Sequence, residues 1–264
     1  MPRNPESGYN QSMTFHSTPP PVLILGCGRS GTSIFGELFQ GLGSYEYHSE
    51  PDFADMLTAF GPSKAVKVPT ESDDYPADAG LSFPLDTLLD KQPSVKIFWI
   101  VRHPFDAISS LRIGIGKGWS HHPRPSDWEN WLGRSVVEQC AHHWSYINKY
   151  GYEAVRHRAT VVRFEQLIAS PISFAKNICS NINLNTEHHI ETLHTWANRV
   201  QNTNNKQFVE AVTSRPHSRP DHKVRVDRWR ENLNSSEIHI IAKIVEQANA
   251  PFNYSLTDDR KRET

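Results

Sequence analysis

Residues 22–42 constrain the fold more than any other stretch of the chain. Val22-Leu23-Ile24-Leu25 is a continuous apolar run of strand length closed by Gly26, the pattern of a strand buried on both faces. A glycine-rich turn follows. From Thr32 onward the apolar residues Phe35, Leu38, Phe39 and Leu42 fall at i, i+3, i+4 and i+7, which predicts a helix ending near Gly43. A strand with two apolar faces needs parallel neighbours and helices above and below it. The opening therefore commits the chain to α/β layering.

The rest of the sequence fits that layering. Val95 to Val101 reads as a second strand, followed by a turn with Pro104 near the first position of a helix that runs to about Ile113. Thr160 to Phe164 reads as a third. Helical spacing recurs at Val137, Cys140, Ala141 and Trp144, at Ile178 and Ile182 beyond Pro171, and at Ile238, Ile241, Ala242 and Val245. The last of these helices has Asn234 at its cap and Glu237 three residues on, a capping-box pattern. The expected fold class is α/β, with a mostly parallel central sheet flanked by helices. Residues 1–20, with four prolines and little to bury, are expected to be a disordered leader. One domain is expected over 21–256, with 257–264 as a charged tail. The Pro-, Asp- and Ser-rich stretch from Gly61 to Pro93 is expected to form a long irregular insertion.

Composition narrows the function classes. The 264 residues carry 28 Lys+Arg against 29 Asp+Glu, a formal charge of -1, so no chain-wide basic excess points to nucleic acid. Three cysteines, none in a C-x-x-C pair, suit a reducing, cytoplasmic setting. No apolar run approaches the roughly 20 residues that cross a bilayer, and no secretory leader pattern opens the chain. The 14 histidines include neighbouring pairs but no H-E-x-x-H or Cys/His spacing, so no metal is expected. Oligomeric state leaves no mark on the sequence. Trp119, Trp128 and Trp131 are equally suited to an acceptor cleft and to a core.

The turn between the first strand and helix is where an anion would bind. Its backbone N–H groups and the positive end of the helix converge there. Gly26 to Gly31 has the G-x-x-x-x-G spacing, but Thr32 stands where a nucleoside triphosphatase loop has lysine, which counts against ATP or GTP hydrolysis. The turn offers Arg29 and the hydroxyls of Ser30, Thr32 and Ser33 instead. A plain connecting turn with a solvated Arg29 would read the same way.

Four segments in order resemble one family. Arg29-Ser30-Gly31-Thr32-Ser33 through Phe39, followed by Tyr47-His48-Ser49-Glu50-Pro51, is similar to the opening of the carbohydrate sulfotransferases, enzymes that use 3′-phosphoadenosine 5′-phosphosulfate (PAPS). Tyrosyl-protein sulfotransferases share a similar loop. Val101 to Ser110 resembles the family's second motif. Val162-Arg163-Phe164-Glu165-Gln166-Leu167 resembles its R-Y-E-D-L segment, with departures at Phe164 and Gln166. Arg228-Trp229-Arg230 resembles its W-R element.

The resemblance implies a P-loop-like fold and PAPS as sulfuryl donor, without a metal. It implies that Arg29, Ser30, Gly31, Thr32 and Ser33 hold the 5′-phosphosulfate, and that Arg102 and Ser110 hold the 3′-phosphate, with Ser109 as the alternative to Ser110. A carboxylate at the end of the family's second strand maps to Glu50 as the base for the acceptor hydroxyl, and His48 is its rival. Arg29 would stabilise charge on the leaving phosphate. Arg215 to Arg230 holds six basic and two acidic residues, which reads as a solvated basic loop, while the resemblance implies Lys223 or Arg225 as a further cofactor contact. The implied acceptor is a saccharide or small-molecule hydroxyl. Two other classes fit part of the pattern: a nucleotide-dependent kinase or phosphotransferase with a degenerate loop, and a non-catalytic nucleotide-binding module. Arg102 could also simply pair with Asp106.

Overall fold

A computed structural model describes residues 18–51, 60–68, 85–119, 121–201 and 226–258. Five strands form one sheet: β1 (Val22–Gly26), β2 (Glu46–Ser49), β3 (Lys64–Lys67), β4 (Lys96–Val101) and β5 (Ala159–Arg163). Their order is β2-β3-β1-β4-β5, and every pairing is parallel. The strands therefore end at one edge of the sheet. The chain leaves β1 for β2 and β3 on one side, then crosses to β4 and β5 on the other. That makes the end of β1 a topological switch point, where ligands of open parallel sheets lie.

The alternation within β1 explains the two layers. Leu23 and Leu25 belong to one buried cluster with Val66, Ile97, Trp99 and Val101. That cluster lies under α2 (Leu85–Lys91), α3 (Pro104–Ile115), α4 (Val136–Tyr146) and the C-terminal helix α9 (Ser235–Asn249). Val22 and Ile24 point into a second cluster with Ala65, Phe98, Ile100 and Val162. It is covered by α1 (Thr32–Gly41), α5 (Phe164–Ala169), α6 (Pro171–Asn181) and α7 (Ile190–Gln201). Phe35 sits edge-on to Phe98 and Phe174, with centroids 5.4 Å away in each case. Each such side chain contributes roughly 1.5–3 kcal/mol on burial. The capping box predicted at Asn234 and Glu237 is present, and Ser135 with Glu138 forms another at the start of α4. Between β5 and the final helix stands the one-turn α8 (Trp229–Asn232).

One expectation needs correction. Gly61 to Pro93 is not irregular throughout, because it contributes β3, an interior strand, and α2. Lys64-Ala65-Val66-Lys67 is four residues long with a lysine at each end, too short and too polar for periodicity to reveal. Its apolar pair is nonetheless buried between β1 and β2. Residues 69–84 of that stretch lie outside the described residues, as do most of the leader and tail. The chain is already tied down at Pro19 and Pro20, whose carbonyls accept from Ser63 N and Tyr45 Oη.

Trp119 is fully buried and is a core residue rather than a cleft wall. Its indole N–H donates to Nδ1 of His143, which is also fully buried, at 3.2 Å. Burial, with His122 and His142 nearby, pushes the His143 pKa down to about 3. In the unfolded chain the same ring takes a proton near pH ~6.5. Its contribution is thus complete above that pH and is lost as the pH falls toward 3, by about 2 kcal/mol between pH 7 and pH 5. His143→Gln keeps an acceptor for Trp119 and is expected to remove that part of the decline. The measurement is the change in urea midpoint between the two pH values, and a variant that declines as steeply as the parent would move the acid sensitivity elsewhere.

Candidate functional site

The turn after β1 is shaped by a glycine and by a neighbour at the start of α5, just past β5. Gly31 has φ 95°, in the left-handed region, and a Cβ there would stand 2.4 Å from the Phe164 ring. No other residue type fits both constraints. Ser30 N donates to Cys27 O and Phe35 N to Gly31 O, which closes the turn and starts α1. Arg29 itself has φ 66°, a conformation that costs a non-glycine residue about 1–2 kcal/mol and turns its carbonyl and side chain away from the strand direction.

That orientation connects the two predicted phosphate pockets. Arg102, just past β4, donates from its guanidinium to the Arg29 carbonyl at 3.1 Å. Arg29 Nε in turn donates to Ser110 Oγ at 2.9 Å. Ser110 lies on the turn-facing side of α3, whereas Ser109 is buried beside it. The Arg102 guanidinium stacks on the Phe164 ring, 4.5 Å from its centroid, so one phenyl group supports both Gly31 and Arg102. Burial pulls the Arg102 pKa down, against the opposing pull of Asp106 and Glu165. Cation burial of this kind persists only with compensating partners.

Asp106 is buried rather than at the surface, and it does more than offset the charge of Arg102. Its two oxygens accept from the backbone N–H groups of Asp227 and Trp229, at 2.8 and 3.0 Å. This ties the segment before α8 to the helix that carries Ser110. Burial raises the Asp106 pKa, with Arg102 and the two amides opposing. Glu165 holds the turn after β4 in a similar way, accepting from His103 N and Tyr254 Oη, both at 2.8 Å.

Glu50 stands at the same edge of the sheet, one residue past β2, with φ 54°. Its N–H donates to Lys67 O at 2.8 Å, and Lys67 Nζ lies 2.6 Å from its Oε1. Lys67 Nζ also donates to Ser33 Oγ at 3.3 Å. Lys67 is 2 % exposed, so a buried ammonium group joins the carboxylate to the turn after β1. Sequence reasoning missed this residue. Its only signal is a lysine opening a Lys-Val-Pro step at the end of a short strand, which reads as an ordinary loop entry. His48 faces elsewhere: its Nε2 lies 3.0 Å from Glu46 Oε1, toward the start of β2, where Glu46 also meets Lys64.

The turn, Arg102, Ser110, Lys67 and Glu50 thus share the carboxyl edge of the sheet. The hydroxyls of Ser30 and Ser109 are buried and make no hydrogen bond among the described residues, an arrangement that suits an oxygen-rich ligand. A bisphosphorylated nucleotide fits this donor set. Lys223 and Arg225 lie outside the described residues. Among those described, no group of three or more His, Cys, Asp or Glu is placed to hold a metal, and no helix is long and apolar enough to cross a membrane.

Comparisons with known proteins bear on the same site. A family model described as "Sulfotransferase family" matches residues 78–188, less than half of the chain but including β4, Arg102, Ser110 and β5. No curated protein matches the sequence. Among solved structures, the sulfotransferase domain from the curacin biosynthetic pathway aligns with TM-score 0.57 and 14% identity, covering 90% of this chain and 99% of that one. Retinol dehydratase in complex with androsterone and the inactive cofactor PAP aligns with TM-score 0.58 and 14% identity, covering 89% and 82%. The chain therefore has the P-loop-like fold of these two proteins, with a parallel five-stranded sheet between helical layers.

Proposed function

We propose that the protein is a PAPS-dependent sulfotransferase that transfers a sulfuryl group to an acceptor hydroxyl. The observation that carries this reading is the continuity of the Arg29 turn with the Arg102 and Ser110 pocket, through the 3.1 Å and 2.9 Å hydrogen bonds. Two cationic sites at one edge of a sheet suit a nucleotide with phosphate at both its 3′ and 5′ positions. When bound, PAPS supplies the sulfuryl group, and adenosine 3′,5′-bisphosphate is what remains of it.

The chain's own residues divide the work. Ser30, Gly31, Thr32 and Ser33 hold the 5′ end through the turn and the N-terminus of α1. Arg102 and Ser110 hold the 3′-phosphate. Glu50 takes the proton from the acceptor hydroxyl, and Lys67 keeps its carboxylate beside the turn. Arg29 places a fixed positive charge where the leaving phosphate gains charge. No metal is called for in this scheme, because arginine and lysine supply the positive charge. A saccharide hydroxyl is the first acceptor class to try, on the resemblance of residues 29–39 and 47–51. The three cysteines are free and buried, which agrees with a cytoplasmic setting.

Calorimetry with adenosine 3′,5′-bisphosphate tests the reading. Saturable binding is expected, weakened by about 10–100-fold in Arg102→Ala, the loss that follows from one charge-assisted contact. No binding, or binding indifferent to Arg102, would remove the cofactor assignment. Acceptors are found by sulfate transfer from labelled PAPS to a panel of sugars, steroids and phenols.

A further inference from the structure

Gly114 stands inside α3, where glycine weakens a helix relative to alanine and where its backbone conformation does not call for it. The reason is spatial. A Cβ at 114 would lie 2.2 Å from Nε2 and 2.4 Å from Cδ2 of His121. The imidazole therefore rests on bare helix backbone. Its other edge faces the anion-binding turn, because a Cβ at position 28 would lie 3.4 Å from His121 Nδ1. Ser110 is one helical turn before Gly114, on the same face of α3, and its hydroxyl accepts from Arg29. Arg29 and Ser110 are hydrogen-bonded to one another, and the His121 ring lies against Gly28, the residue before Arg29, and Gly114, one turn beyond Ser110.

The position of the ring is fixed from behind. Trp119, two residues earlier, is fully buried, donates to His143 and packs edge-on against Trp128, with centroids 6.0 Å apart. A rigid anchor, a helix stripped of a side chain and a half-buried imidazole beside the turn together describe a placed ring. A solvated loop histidine would need none of them.

We propose that His121 is a third ligand of the phosphate held by Arg102 and Ser110, and that it helps the protein distinguish a 3′,5′-bisphosphorylated nucleotide from a 5′-phosphorylated one. An imidazole N–H is a suitable donor to a phosphate oxygen, and the contact is stronger when the ring is protonated. The inference rests on the assignment of the 3′-phosphate to Arg102 and Ser110.

The test titrates the full chain with adenosine 3′,5′-bisphosphate and, separately, with adenosine 5′-phosphate. His121→Ala is expected to weaken the first by about tenfold and to leave the second within about twofold. Gly114→Ala, which keeps the histidine but displaces its ring, is expected to act in the same direction. It also decides the matter if His121→Ala fails to fold, as judged by its thermal midpoint. The proposal is overturned if both variants bind the bisphosphate as the parent does, or if the two nucleotides weaken equally, which would make the ring a prop for the turn. A parent protein that binds neither nucleotide would overturn the cofactor assignment itself, a failure distinct from an effect confined to His121.

Discussion

Glu50→Gln is expected to lower kcat by about 10²–10⁴-fold, the range for losing a positioned general base, while leaving the affinity for adenosine 3′,5′-bisphosphate within about twofold. Glutamine keeps the size of the side chain and an oxygen that accepts from Lys67 Nζ, now 2.6 Å from the carboxylate. What it loses is the ability to take a proton. The Lys67 ammonium would remain buried with a weaker partner, so a modest fall in thermal midpoint is expected as well. It should be recorded so that lost stability is not read as lost chemistry. His48→Gln serves as the comparison. The His48 ring is engaged with Glu46, at the start of β2, and its replacement is expected to leave kcat near that of the parent. If Glu50→Gln turns over normally and His48→Gln does not, proton transfer belongs to the histidine.

What the sequence discloses and what it hides divide along physical lines. β1, β4 and α1 are legible because a fully buried strand and a one-sided helix leave long, unambiguous apolar patterns, and the capping box at Asn234 is legible because its chemistry is local. The turn at residues 26–33 is recognisable by its glycines and hydroxyls. β3 is hidden because four residues between polar ends carry no periodicity, although the sheet needs them between β2 and β1. Lys67 is hidden for a related reason. Its meaning lies in the 2.6 Å and 3.3 Å contacts with Glu50 and Ser33, which join the ends of β2 and β3 to the start of α1 and have no trace in the spacing. His121 is hidden because its partner is an absent side chain at Gly114. Asp106 shows how much a local reading leaves out: a carboxylate four residues from Arg102 suggests electrostatic pairing, which is present, but its oxygens also cap the amides of Asp227 and Trp229, more than a hundred residues away.

Arg29→Ala is expected to produce the complementary defect, a fall in kcat of about 10²–10³-fold, as when one preorganised donor to developing charge is removed. Arg29 has φ 66°, so alanine inherits the same strained backbone, and the carbonyl that accepts from Arg102 is retained. The mutation thus subtracts the guanidinium and little else. Ser110 Oγ, released from Arg29 Nε, becomes available to the 3′-phosphate, so affinity for adenosine 3′,5′-bisphosphate is expected to fall much less than kcat. Arg102→Ala is expected to do the reverse and to reduce affinity more than turnover, because the 3′-phosphate does not change during the reaction. Arg29→Lys restores the charge without the planar fork that reaches Ser110, and should recover about tenfold of the loss. Single-turnover rates and calorimetric affinities for the three variants separate the two roles. If Arg29→Ala loses affinity while Arg102→Ala loses rate, the assignments of the two arginines must be exchanged, and if both lose only affinity, neither acts on the leaving group.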